Sequence, residues 1–149
     1  MTNTDRNAPP ERVFIALGTN LGDDLDRNLR EAVQAIGRLP GTRIVRVSSF
    51  LSTEPWGVKD QPGFLNAVVE IRTELEPLPL LTALKQLEVD LGRVPSVRWG
   101  PRAIDFDIIL YGRRSVDEPG LRIPHPRFRE REFVLQPLRE IAPEVLDPR

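Results

Sequence analysis

In Arg98-Trp99-Gly100-Pro101-Arg102-Ala103-Ile104-Asp105-Phe106-Asp107-Ile108-Ile109-Leu110-Tyr111-Gly112, the second half reads as a β-strand. Aliphatic, β-branched and aromatic residues fill positions 104–111 around two aspartates, and Gly112 stops the run. Strand side chains two apart share a face, with Cβ atoms roughly 6–7 Å apart. Asp105 and Asp107 therefore project together, while Ile104, Phe106 and Ile108 face a core. Two carboxylates this close repel, and Asp is a poor strand former, so the arrangement requires an offset. One is a hard cation such as Mg²⁺, held by one or two carboxylates and completed by water and phosphates. The other is a wet edge strand whose aspartates pair with arginine. D-x-D alone does not choose between them. Arg98 and Arg102, beside the stiff turn Trp99-Gly100-Pro101, favour the first, because guanidinium groups grip phosphate oxygens bidentately and so suggest a polyphosphate ligand.

A length of 149 residues fits one domain with a single core, here residues 12–149 after a disordered tail at 1–11. The net charge of −1 gives no global attraction to nucleic acid or anionic lipid. Positive charge is instead local, with nine arginines against five carboxylates between positions 93 and 131. The absence of cysteine excludes disulfides and thiolate chemistry. No apolar run reaches membrane-spanning length and no signal-peptide core is evident, so a cytoplasmic protein is expected.

Residues 13–17 read as a buried first strand. Gly18-Thr19-Asn20-Leu21-Gly22-Asp23 follows as a turn with Asp23 as N-cap, and Leu25, Leu29, Ala32 and Ile36 then recur at helical spacing up to Gly37. The glycine loop matches neither G-x-G-x-x-G nor G-x-x-x-x-G-K-[ST]; a plain turn outweighs a phosphate cradle, and a P-loop is excluded. A second strand is expected at 42–50, then a loop at 51–63 in which Trp56 serves either as a lid on the core or as a wall over a flat ligand. The third strand, 64–72, puts Ala67, Val69 and Ile71 on one face; Asn66 in it offers an amide to a heterocycle or to backbone. Pro77 and Pro79 open a second helix with Leu80, Leu84, Leu87 and Leu91 as its apolar stripe and Gly92 as its end. Glu88 borders that stripe, and a solvated pair with Arg93 is its plainest role. Residues 121–123 are extended, and Pro124-His125-Pro126 holds the single histidine stiffly near Arg127, Arg129 and Arg131, where phosphate contact and a silent surface role weigh equally. Residues 133–141 close the chain as a short helix.

The order strand, helix, strand, strand, helix, strand is an α+β, ferredoxin-like pattern: an antiparallel sheet with two helices on one face and a short C-terminal extension. That fold hosts enzymes, RNA binders and regulatory modules, so it does not decide function.

Taken together and in order, Gly18-Thr19-Asn20-Leu21-Gly22-Asp23, Thr53-Glu54-Pro55, Phe64-Leu65-Asn66, Glu88 with Gly92-Arg93, the segment 98–112, Pro124-His125-Pro126-Arg127 and Arg131-Glu132-Phe133 resemble the hydroxymethylpterin pyrophosphokinases of folate biosynthesis. The resemblance implies transfer of pyrophosphate from ATP to 6-hydroxymethyl-7,8-dihydropterin, with release of AMP. It implies that Asp105 and Asp107 hold two Mg²⁺ ions, that Glu88, Arg93, Arg98, Trp99, Ile108, His125 and Arg131 contact ATP, and that Arg93 and Arg102 belong to segments closing over it. Phe64 and Phe133 would sandwich the pterin, Thr53 and Asn66 would meet its polar edge, and Trp56 would line the lid. Pro95-Ser96 departs from relatives that carry a basic residue there. The implied partners are the two small substrates alone, with no nucleic acid, no membrane and a monomeric chain. An RNA-binding module that stacks bases on Trp99 and a nucleotide-sensing module that binds ATP without consuming it are the rival classes.

Overall fold

The computed structural model describes residues 11–20, 24–53, 63–92 and 104–146. Strand β1 (Arg12–Thr19) leads to helix α1 (Leu25–Gly37), strands β2 (Thr42–Val47), β3 (Leu51–Thr53) and β4 (Phe64–Thr73), helix α2 (Pro77–Leu91) and strand β5 (Asp105–Tyr111). A hairpin of β6 (Val116–Glu118) and β7 (Leu121–Ile123), a 3-10 turn and helix α3 (Glu132–Ile141) complete the described chain.

The sheet order is β2-β4-β1-β5, with β3 also pairing β4, and every pairing is antiparallel. This is the expected ferredoxin-like arrangement. Val13, Ile15 and Leu17 of β1, Ala67, Val69 and Ile71 of β4, and Ile104, Phe106 and Ile108 by β5 pack on one face against Leu29, Ala32 and Ile36 of α1 and Leu80 and Leu84 of α2. Gly112 ends β5 at φ +56°, a left-handed conformation that favours glycine.

Several boundaries move. β1 runs on to Thr19, so Gly18 is a strand residue rather than the start of a turn. The N-cap of α1 is Asp24, whose carboxylate accepts the Arg27 N–H at 3.0 Å, in place of the expected Asp23. β2 ends at Val47 and the 51–63 loop begins with a strand, because Leu51, Ser52 and Thr53 pair with Asn66, Leu65 and Phe64.

The C-terminal extension forms a layer of its own. Val134, Leu138, Ile141 and Ala142 pack with Phe14, Val68 and Ile109 on the opposite face of the sheet from α1 and α2. A bulge in β5 serves this layer: Phe14 pairs Leu110 and Ile15 pairs Ile108, so Ile109 is the extra residue and joins the α3 side. Polar ties secure the C-terminal end of α3. Arg46 donates to the Ile141 carbonyl at 2.7 Å, and Ser49 donates through Oγ at 2.7 Å and N–H at 3.0 Å to the Glu140 carboxylate. Beneath them the buried Glu70 carboxylate accepts from Arg12 Nε at 2.8 Å.

If α3 is an integral layer, truncating its fully buried centre must cost global stability. Leu138→Ala is expected to lower unfolding free energy by about 2–5 kcal/mol in urea denaturation, with an unchanged slope. A loss under about 0.5 kcal/mol would mean that α3 is a peripheral appendage.

Candidate active site

The face covered by α3 also carries the polar residues. β1 lies between β4 and β5, and Gly18 pairs Asn66 on one side and Asp105 on the other. The next row in the same direction is Val68, Ala16 and Asp107. With strands about 4.8 Å apart, the Asn66 and Asp105 backbones stand roughly 10 Å apart across a glycine. Asn66 is buried, and its Nδ2 donates to Thr53 Oγ1 at 3.0 Å, which leaves Oδ1 turned toward Gly18. Phe64 lies two residues before Asn66 on the same face of β4, and α3 packs over β3 and β4 with half-buried Phe133 in its first turn. Thr53, Phe64 and Asn66 thus stand on the β3–β4 side of Gly18 and Asp105 and Asp107 on the β5 side, while Phe133 packs against the cluster of Phe14 and Val68 on the same face.

Both aspartates are half-buried. His125 stands near Asp107: its N–H donates to the carbonyl of the bulged Ile109 at 3.0 Å, and its Nδ1 accepts the Arg127 N–H at 3.2 Å. Burial pushes the imidazole pKa below its usual value; Asp107 opposes that shift and Arg131 adds to it. His125 is therefore neutral at pH 7 with its proton on Nε2, a donor suited to an anionic oxygen. Arg131 precedes α3 and lies over the Phe133 ring, 5.8 Å from its centroid.

Glu88 proves to be more than half of a solvated pair. Its Oε2 accepts the Phe106 N–H at 2.9 Å, so it ties α2 to the outer edge of β5 between the two aspartates. Lys85, one turn back, approaches the same carboxylate at 3.5 Å. Beside this tie a cleft of about 600 Å³ opens between α2 at Leu81 and Lys85, the β5 edge at Asp107 and Ile108, and the β6–β7 hairpin with His125. Leu81, Lys85 and the pairing of β6 with the expected extended piece 121–123 are the features that sequence reasoning missed. Pro119-Gly120 between two short extended runs was the available signal for the hairpin. Trp56, Arg93, Arg98, Trp99 and Arg102, with Leu21, Gly22 and Asp23 of the first loop and the Pro95-Ser96 departure, lie outside the described residues.

Comparison with known proteins extends over nearly the whole chain. The family model described as 7,8-dihydro-6-hydroxymethylpterin-pyrophosphokinase matches residues 14–143. A Pseudomonas aeruginosa protein named 2-amino-4-hydroxy-6-hydroxymethyldihydropteridine pyrophosphokinase is 44% identical over 138 residues, covering 93% of this chain and 85% of its own. A Bacillus subtilis protein of the same name is 46% identical over 132 residues, covering 89% and 78%. In fold, the chain superposes with a TM-score of 0.68 on a solved HPPK-DHPS in complex with substrates; identity is 17%, and the match covers 91% of this chain but only 40% of that one. A match of this extent to the family model, with relatives at this identity and coverage, shows that the chain belongs to the 7,8-dihydro-6-hydroxymethylpterin-pyrophosphokinase family.

Proposed function

We propose that the chain transfers the pyrophosphoryl group of ATP to the hydroxymethyl group of 6-hydroxymethyl-7,8-dihydropterin, yielding the pterin diphosphate and AMP for folate biosynthesis. The observation that carries this reading beyond family membership is the row Asn66–Gly18–Asp105, which sets an amide for a heterocycle and a carboxylate pair on one sheet face.

The cleft along β5 takes the nucleotide. Ile108 follows Phe106 at the same phase of the strand, so its main-chain N–H and C=O turn away from β1 toward a purine edge. Neutral His125 donates from Nε2 to a phosphate oxygen, and Arg131 adds charge beside it. Phe64 and Phe133 enclose the pterin while Thr53 and Asn66 bond its polar edge. Trp56, Arg93, Arg98, Trp99 and Arg102 complete the two subsites in this reading, with Arg93 and Arg102 neutralising the phosphates.

Asp105 and Asp107 fit a hard cation. Among the described residues no group of three His, Cys, Asp or Glu side chains gathers around them. Two carboxylates that leave the remaining positions to water and phosphate suit Mg²⁺, and Asp105 and Asp107 would hold the ions, two in this reading, beside the nucleotide phosphates. When bound, the ions neutralise phosphate charge and polarise the hydroxyl. In the reaction the hydroxymethyl oxygen bonds to the β-phosphorus, the bond from that phosphorus to the α,β-bridging oxygen breaks, and AMP leaves with that oxygen. The hydroxyl proton passes to solvent without a dedicated protein base, since positioning and charge stabilisation carry this class of transfer. The RNA-module alternative loses its platform, because α3 covers the sheet face on which such modules stack bases.

Incubating the protein with ATP, Mg²⁺ and the pterin is expected to form AMP only when the pterin is present; ADP formation would make it an ordinary kinase, and unchanged ATP would favour the sensing module. Asp107→Ala is expected to lower kcat by about 10³-fold with an unchanged melting temperature, and near-normal turnover in that variant would refute the carboxylate-metal reading. Phe133→Ala should raise the KM for the pterin about tenfold, the equivalent of one aromatic stacking contact, while the KM for ATP stays within twofold. Equal increases in both would place Phe133 in a general structural role.

A further inference from the structure

Gly18 is a glycine without a conformational reason. Among the described residues the positive-φ glycines are Gly41, Gly112 and Gly120, so Gly18 holds ordinary strand geometry. It sits inside an eight-residue strand, paired on both sides, where a glycine weakens the strand and commonly marks a close approach by another group. Its missing side chain would project onto the α3 face of the sheet, since a Cβ built there lies 2.8 Å from Asn66 Oδ1. The next nearest atoms, Asn66 Cγ and the Leu65 carbonyl oxygen, are at 3.9 Å, which is ordinary contact. On this face the β1 side chains shrink from Phe14 through Ala16 to Gly18, and the bare position falls between the heterocycle amide and the first carboxylate.

We propose that Gly18 is a specificity-determining residue for the pterin. Its bare backbone forms the floor across which the ring reaches from Asn66 to the carboxylates, and any side chain there fills the space that the bicyclic ring and its hydroxymethyl group require. The claim rests on the proposed pterin site. Its content is that the glycine serves the ligand, whereas the structural alternative is that it merely makes room for Asn66.

The two are separated by measuring equilibrium binding of 6-hydroxymethyl-7,8-dihydropterin, in the presence of Mg²⁺ and α,β-methylene-ATP, to wild type, Gly18→Ala, Asn66→Ala and the double variant. A ligand floor predicts at least tenfold weaker pterin binding in Gly18→Ala, with nucleotide affinity within twofold and a melting temperature unchanged or raised. It also predicts at least fivefold weaker binding in the double variant than in Asn66→Ala, because the methyl then meets no atom closer than ordinary contact yet still fills the floor. If Gly18→Ala fails to fold, the comparison of the double variant with Asn66→Ala decides alone. Pterin affinity equal in those two, or within twofold of wild type in Gly18→Ala, overturns the proposal. Wild type that binds no pterin would refute the proposed function itself, a separate outcome from equal binding across the variants.

Discussion

The register of β1 is the constraint on which the site depends. This strand pairs β4 and β5 simultaneously, so a single set of hydrogen bonds decides which residue of β4 stands level with which residue of β5. Burial of Val13, Ile15 and Leu17 under α1 and α2 holds that register. A one-residue slip would drive these side chains to the other face and carry Asn66 and Asp105 out of line. The cohesion of the core and the alignment of the chemistry are thus the same fact.

The second face shows how a small sheet accommodates both a core and a polar site. Toward one end, Phe14, Val68 and Ile109 are sealed by α3, and the charges of Glu70, Arg12, Arg46 and Glu140 are satisfied around that seal. Toward the other end the face turns to small and polar residues at Ala16, Gly18, Asn66 and the two aspartates, and at the start of α3 Arg131 lies over the Phe133 ring. The bulge at Ile109 links the two, since its side chain joins the seal while its carbonyl anchors His125. Glu88 performs a comparable service from the first layer by holding the free edge of β5, which a peptide edge without a partner would otherwise expose.

Much of this was readable from periodicity. Alternation in 104–111 placed Asp105 and Asp107 opposite Phe106 and Ile108, and the 3.6-residue spacing of Leu80 and Leu84 identified the buried side of α2. The position of α3 was less accessible: an amphipathic helix reveals that it has an apolar side but not which sheet face it covers. The expected pattern places helices on one face only, and α3 on the second face was not anticipated. β7 matches the extended piece expected at 121–123, whereas β3 and β6 escaped because three-residue strands offer too few alternations to detect. Gly18 was assigned to a turn because glycine is disfavoured in strands, and that local preference was overridden by pairing on both sides. The contact of Glu88 with a backbone N–H eighteen residues away has no local sequence signal.

Asp105 and Asp107 share one face of an edge strand, the arrangement on which the proposed metal-nucleotide platform rests. Mn²⁺ titration followed by electron paramagnetic resonance, with α,β-methylene-ATP present, tests it most directly. The account predicts two Mn²⁺ ions per chain in the nucleotide complex and loss of at least one in Asp107→Asn. Mn²⁺ binding that is unchanged by that substitution would contradict it.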